Sequence, residues 1–270
     1  MSSHALAVTG TGGTAAASIT QIGENITLPA GGPWTIFALW GQVAKVTAVA
    51  SEGSGGQLII DSLSGDLDPD PAPGIYPLIG NPQCSSAHFS CAALPLNIWP
   101  VNWLASGKSV ISLSYMNQLA ITAGSRVVAG ILFGDSIPEK RPLKFCDSVY
   151  SAFASASEQA IGTITLAEKA TRIVGILADL NKGDALTVAE PIIGTIRLSS
   201  DDIKMPPAQY PFARCFDSGD GTVAGETACP KMDFIPVDIP VKGGARINVY
   251  ATTPISVTGN CEALVYIAYE

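Results

Sequence analysis

The stretch "IWPVNW" at residues 98–103 returns near the end of the chain as "FIPVDI" at residues 234–239, and the thirty residues after each copy decide the fold. Shifted by 136 positions, residues 99–133 align without a gap on 235–269, placing Pro100 on Pro236, Val101 on Val237, Gly107 on Gly243, Ile111 on Ile247, Thr122 on Thr258 and Ile131 on Ile267. Shifted by 138, residues 25–62 align on 163–200, bringing Ile26-Thr27-Leu28 onto Ile164-Thr165-Leu166 and Gly56 onto Gly194. Turns match as well as apolar runs. "ASGKS" at 105–109 falls on "VKGGA" at 241–245, and "TAGSR" at 122–126 on "TGNCE" at 258–262. Glycine in such segments tolerates the positive φ that tight turns demand. Strands and turns repeating in nearly one register point to duplication of a whole folding unit.

Each repeat reads as short strands separated by turn signals. With 47% hydrophobic and 14% charged residues, 27 Gly and 19 Pro, the chain is too apolar for disorder and too rich in turn residues for a helical bundle. Strands are predicted near 17–28, 34–40, 43–50, 56–62, 97–103, 109–115, 118–122 and 126–133. Pro100 fits a strand start, where a missing N–H does least harm. A Pro-rich insertion at 63–96 has its counterpart at 201–233, in the same interval of each repeat. Eight strands with a long excursion in one place suggest a jelly roll. The reading is therefore all-β, two tandem eight-stranded jelly rolls (β-sandwich barrels) related by internal duplication. It divides the chain into a flexible arm at 1–16, a first barrel at 17–136, a linker at 137–157 and a second barrel at 158–270.

Charge narrows the function. Lys plus Arg number 15 against 23 Asp plus Glu, a net charge of -8, and neither half is net positive, the wrong sign for neutralising phosphates across a broad face. Direct binding of nucleic acid is not expected. The opening residues show neither a basic n-region nor a long apolar h-region, so no signal peptide or anchor is expected there. The basic stretch "EKRPLK" at 139–144 reads as a solvated linker, with lipid phosphates as the alternative partner. After it, "CDSVYSAFASASEQ" at 146–159 reads as a short helix with Asp147 or Ser148 as N-cap.

Candidate chemistry is sparse. "FGDSIP" at 133–138 carries a Gly-Asp-Ser block in which Ser136 stands where one esterase family keeps its nucleophile. That hydroxyl needs a base, usually a downstream histidine, and the only two histidines, His4 and His88, both lie upstream. Cys84, His88 and Cys91 in "CSSAHFSC" are zinc-type ligands without an evident fourth. The plainer reading is a disulfide between Cys84 and Cys91 in the first insertion and another between Cys215 and Cys229 in the second, with Cys146 and Cys261 free. A reducing cytosol argues against either bridge. Asp66, Asp68 and Asp70, and later Asp217 and Asp220, are oxygen donors of the kind calcium takes. Asp beside Pro or Gly is also ordinary turn chemistry, and the spacing of a helix-loop-helix calcium loop is missing. No cofactor is expected. Trp99, Trp103, Tyr76 and His88 lie in or beside the first insertion, and exposed aromatics there would suit a tandem carbohydrate-binding, lectin-like module. The residues aligned with the two tryptophans, Ile235 and Ile239, argue for burial instead.

Two eight-stranded halves with an insertion in the same loop of each, a free N-terminal arm and no catalytic apparatus together resemble the double jelly-roll major capsid proteins of tailless icosahedral viruses. The resemblance implies two barrels standing side by side, and three copies forming a pseudo-sixfold homotrimer that tiles the virion, commonly over an internal membrane. It further implies neighbouring capsomers and minor capsid or vertex proteins as partners, outward loops built from the insertions, and no enzymatic activity. A mean hydropathy of +0.32 with few charges suits a chain that buries apolar flanks against its own copies.

Overall fold

The computed structural model describes residues 2–45, 55–71, 74–79, 97–118, 120, 124–141, 144–153, 157–182, 193–212, 214–217, 234–254 and 261–270. Among these residues there are eighteen strands and no helix. The first half contains β1 (Ser3–Gly12), β2 (Ile19–Gln21), β3 (Ile26–Thr27), β4 (Trp34–Lys45), β5 (Gly55–Ser62), β6 (Gly74–Ile79), β7 (Asn97–Ala105), β8 (Val110–Asn117) and β9 (Ser125–Gly134). One sheet runs β1-β9-β4-β7, and the other runs β2-β8-β5-β6 with β3 also on β8. The second half contains β10 (Phe145–Phe153), β11 (Gln159–Thr165), β12 (Arg172–Lys182), β13 (Thr195–Ser199), β14 (Gln209–Pro211), β15 (Arg214–Asp217), β16 (Ile235–Pro240), β17 (Arg246–Thr252) and β18 (Cys261–Tyr269). Its sheets run β10-β18-β12, with β16 on β12, and β11-β17-β13-β14. The short β15 lies parallel to the end of β12. Taking β2 and β3 as one broken strand and setting β15 aside, both halves have the same strand order, which is that of a jelly roll.

Alternation explains why these segments are strands. In β8, "VISLSYMN", every second side chain enters the core, and Ile111, Leu113 and Tyr115 are buried. They meet Ile36 and Leu39 of β4, Leu58 and Ile60 of β5 and Ile131 and Phe133 of β9 in one cluster between the two sheets. The second half repeats this with Ile173 and Ile176 of β12, Ile196 and Leu198 of β13, Ile247 and Val249 of β17 and Val265 and Ile267 of β18.

The pairing registers show how closely the halves correspond. Trp99 faces Leu39 and Trp103 faces Ile36, while Ile235 faces Ile176 and Ile239 faces Ile173. Ile26 pairs with Ile111 as Ile164 pairs with Ile247, and Ile60 with Leu113 as Leu198 with Val249. Outside β4 and β12, the residues of these pairs keep the offsets of 138 and 136 read from the sequence. The middle strand departs from them. β4 and β12 each carry a bulge, between Ile36 and Ala38 and between Ile173 and Gly175, so this strand corresponds at an offset of 137. The ungapped alignment of 25–62 on 163–200 therefore slips by one residue through β4. In a strand a one-residue slip exchanges the two faces, so it would have set the core residue Ile36 against Val174 instead of Ile173.

Two expectations about the ends of the barrels are corrected. Residues 1–16 do not form a flexible arm: β1 spans ten of them and pairs with β9 from Ser3 opposite Gly134 to Gly12 opposite Ser125. Residues 145–153 do not form a helix capped by Asp147 or Ser148. They form β10, paired with β18 from Phe145 opposite Tyr269 to Phe153 opposite Cys261. The two are equivalent first strands. His4 stacks on Phe133 at 5.0 Å between ring centroids, and Phe145 stacks on Tyr269 at 5.5 Å. Without β1 and β10 the long strands β9 and β18 would each expose an edge of unpaired N–H and C=O groups, and covering that edge overrides weak local propensity. The predicted strands at 34–40 and 43–50 are one strand as far as Lys45, and β6 was not anticipated.

Candidate functional site

The most heavily built feature outside the two cores is the joint between the barrels. In the sheet β1-β9-β4-β7 the central strands β9 and β4 are buried on both faces. Leu39, Val127 and Ile131 point into the first core, while Ala5, Phe37, Trp40, Val128 and Leu132 belong to one continuous cluster with the core of the second barrel. Burial of both faces explains the near-continuous apolar runs "WTIFALW" and "RVVAGILF", which lack strict alternation. Gly130 makes the packing feasible, since a Cβ there would stand 2.3 Å from the Leu6 carbonyl oxygen and 2.6 Å from the Trp40 ring.

Polar groups fix the register of the joint. Gln42, only 2% exposed, donates from Nε2 to the Phe212 carbonyl at 2.8 Å and accepts at Oε1 from the Gly194 N–H at 3.3 Å. The Ala5 N–H donates to the Pro207 carbonyl at 2.7 Å, and the Ala7 N–H to Gln209 Oε1 at 3.2 Å. Ala5 forms a parallel bridge with Ala208, so the sheet ending in β14 continues onto β1. At the other end of β1, the buried Ser3 hydroxyl accepts from the Asp238 N–H at 2.9 Å. Asp238, 5% exposed, pairs with Arg172 and lies 3.9 Å from Arg141. Arg141 also pairs with Glu270 at 2.7 Å, and Lys144 reaches Glu270 at 3.4 Å. Hydrogen bonding from Arg141, with Lys144 adding to it, holds the Glu270 carboxyl below its usual range. The basic stretch read as a solvated or lipid-facing linker is thus tied by Arg141 and Lys144 to the end of β18 and, through Asp238, to β16.

The residues singled out from the sequence fall elsewhere. Trp103 is 6% exposed in the first core, and Trp99 packs half-buried at its edge. Tyr76 lies 5.5 Å from the Trp99 ring and 6.3 Å from the Trp103 ring, with burial raising its phenol pKa. Tyr76 thus packs against both tryptophan rings, and the equivalent Ile235 and Ile239 are buried. Asp66 serves a turn: its carboxylate accepts from the Ser64 hydroxyl and from Ser109 Oγ at 2.6 Å, and those two hydrogen bonds hold its pKa below the usual value. Asp68 pairs through its backbone with Leu104. Among the described residues no group of three His, Cys, Asp or Glu side chains is placed to hold a metal ion.

Ser136 follows β9, and the upstream His4 lies in β1 opposite Phe133. His4 packs between Phe133 and the edge of Trp34, and burial lowers its pKa against the opposing charge of Asp135. Cys84, His88, Cys91, Asp220 and Cys229 lie outside the described residues. Cys215 and Asp217 fall in β15 with their side chains undescribed, as does Cys261 in β18, so both proposed disulfides fall outside the described residues. Cys146 is a free, exposed thiol on β10.

The joint escaped sequence reading, although a signal for it was present. "GIYPLI" at 74–79 and "AQYPFA" at 208–213 share a Tyr-Pro pair. Tyr76 faces Leu58 as Tyr210 faces Ile196, so β6 and β14 are equivalent strands. A glutamine inside "IFALWGQVA" was the second signal, because a long amide in an apolar run needs a buried partner.

No protein-family model matches the chain, and no curated protein matches it. Among solved structures, the chain is similar to PNGF-II in a C2 space group at 8% identity, with 99% of this chain and 65% of that chain covered and a TM-score of 0.27. The chain thus spans slightly less than two thirds of that structure's length. It is also similar to the STIV MCP, a viral major capsid protein, at 9% identity with 99% and 96% covered and a TM-score of 0.23. The functional reading rests on the chain's own strand order and joint.

Proposed function

We propose that this chain is the structural subunit, the major capsid protein, of an icosahedral viral shell. Three copies close into a pseudo-hexagonal capsomer, and capsomers tile the virion. The observation that carries this reading is the pairing of two barrels of one strand order across a buried, hydrogen-bonded joint. A chain built as two equivalent units set edge to face supplies two neighbouring positions of a six-part ring, so three copies complete it. The work of such a chain is assembly, with no reaction and no cofactor assigned to it. Neighbouring capsomers and minor capsid or vertex proteins are its partners. An internal viral membrane fits a shell whose subunit, at a net charge of -8, is poorly suited to holding nucleic acid directly. Membrane contact would not run through Arg141 and Lys144, whose charges are engaged with Glu270. A lectin-like function loses support from the packing of Tyr76 against Trp99 and Trp103.

Light scattering on the purified chain tests the proposal. A particle of three times the 27.8 kDa chain mass, stable on dilution, is the expected result. A monomer persisting at every concentration would overturn it.

A further inference from the structure

The first strands of the two barrels are equivalent, but one aromatic slot is filled differently in each. In β10, Phe145 stands opposite Tyr269 and stacks on its ring with centroids 5.5 Å apart. At the same point of β1, opposite Phe133, the chain places His4, stacked at 5.0 Å. The imidazole takes the place of an apolar ring. Beyond Phe133 it meets Trp34 edge-on at 4.9 Å, and its Nδ1 is buried with no hydrogen-bond partner among the described residues. In the charged imidazole both nitrogens are donors, so Nδ1 would become a buried N–H without an acceptor, in a slot walled by rings.

Few charges are at hand to compensate. β9 and β4 face the ring with Phe133 and Trp34, neither of which titrates. Among the described residues the charge that acts on His4 is Asp135, just past β9, whose carboxylate also accepts from the Ser2 N–H at 3.0 Å. Burial outweighs that attraction and lowers the imidazole pKa from its ordinary 6.5. Asp238, with Arg172 and Arg141, lies on the other side of the strand, where Ser3 points.

That other side is the joint. The Ser3 hydroxyl accepts from the Asp238 N–H at 2.9 Å, and the Ala5 N–H donates to the Pro207 carbonyl at 2.7 Å. Residues 3 and 5 therefore hold the second barrel, while His4 between them is held by the first. The strand start is closely seated, since a Cβ at Gly134 would stand 2.6 Å from the Ser2 carbonyl oxygen. Little slack is left for the ring to leave its slot without moving Ser3 and Ala5.

We infer that His4 is an acid-sensitive latch on the joint: charging its imidazole loosens the start of β1 and, with it, the contacts by which that strand grips the second barrel. Because the folded chain favours the neutral ring, the contribution of His4 is complete above the unfolded value of about 6.5 and is lost as pH falls below it. Phe145 gives the second barrel no such response. The joint is thus firm at neutral pH and weakened in a mildly acid medium, whatever assembly the chain enters.

Two measurements on the full chain test this. The sequence has only two histidines, so His88→Gln leaves a single imidazole whose NMR signal reports His4 directly. Its titration midpoint is expected below 6.5. Hydrogen exchange then reads the latch. Protection of the Ala5 and Ala7 amides, corrected for intrinsic exchange, is expected to fall roughly tenfold between about pH 7 and about pH 5 in the wild type. It should stay level in His4→Phe, the residue the second barrel uses at this point, and the β10 amides should stay level in both proteins. A midpoint at or above 6.5, or an equal loss of protection in His4→Phe, would overturn the latch, and neither readout depends on the oligomer.

Discussion

Replacing Gln42 with alanine is the sharpest perturbation of the joint. The side chain is 2% exposed and joins two backbone groups of the other barrel, the Phe212 carbonyl at 2.8 Å and the Gly194 N–H at 3.3 Å. Truncation leaves both groups buried with one partner fewer, and an unsatisfied buried group costs about 1–3 kcal/mol. The longer Gly194 contact belongs at the low end of that range. The lost methylene adds about 0.8 kcal/mol of burial. The sum, roughly 3–5 kcal/mol, is a large fraction of the ~5–15 kcal/mol by which folded proteins are stable. At about 2–4 °C per kcal/mol for a chain of this size, it lowers Tm by roughly 6–20 °C. Calorimetry and urea denaturation of Gln42→Ala against wild type provide the assay. Gln42→Glu supplies the comparison: it keeps the length and the acceptor but presents a carboxylate to the Phe212 carbonyl, so it should be at least as damaging at neutral pH. A stability change below about 0.5 kcal/mol for Gln42→Ala, the size of an ordinary surface substitution, would refute the argument that the joint is fixed by this amide.

Three further outcomes are expected. Lys108 holds a positive φ of 69°, where its counterpart in the second barrel is Gly244 at 74°, so Lys108→Gly should stabilise the chain by about 0.5 kcal/mol and Gly244→Ala should destabilise it by about 1–2 kcal/mol, both read from urea midpoints. Asp238→Ala strips Arg172 and Arg141 of a shared buried carboxylate, and because both arginines keep some exposure the cost should be about 1–3 kcal/mol by the same measurement, with Asp238→Asn milder. Burial raises the phenol pKa of Tyr115 to about 12 while its hydroxyl donates to the Gly55 carbonyl at 3.0 Å. Because the folded state favours the neutral phenol, this contribution is complete below the unfolded value of about 10 and is lost as pH rises from there through about 12. Tyr115→Phe should therefore flatten the fall in Tm across that alkaline window, and an unchanged slope would contradict it.

Much of the architecture was legible because a jelly roll writes its pairing into alternation and turns. Trp99 on Ile235, Gly107 on Gly243 and Gly56 on Gly194 were readable as equivalents, and each pair occupies the same place in its barrel. What escaped had physical causes. The small residues of β1 have little strand propensity of their own, and that segment is a strand because β9 needs an edge partner. In β10, Phe145, Val149 and Phe153 recur every four residues, a spacing that puts them on one face of a strand and on one face of a helix alike, so local pattern did not separate the two. The one-residue slip through β4 was hidden because bulges leave no composition signal. The joint was hardest to see, since a sheet buried on both faces looks from sequence like an ordinary core strand, and only Gln42 among the apolar residues marked a polar partner beyond it.

The central claim is that one chain supplies two equivalent positions of a closed ring. Electron microscopy of the purified oligomer, averaged without imposed symmetry, tests it most directly. The account predicts a particle of three chains with six barrel-sized lobes in a near-hexagonal outline, each lobe meeting its neighbours through like surfaces. Two-lobed single chains, or an oligomer whose barrels do not alternate around a ring, would contradict it.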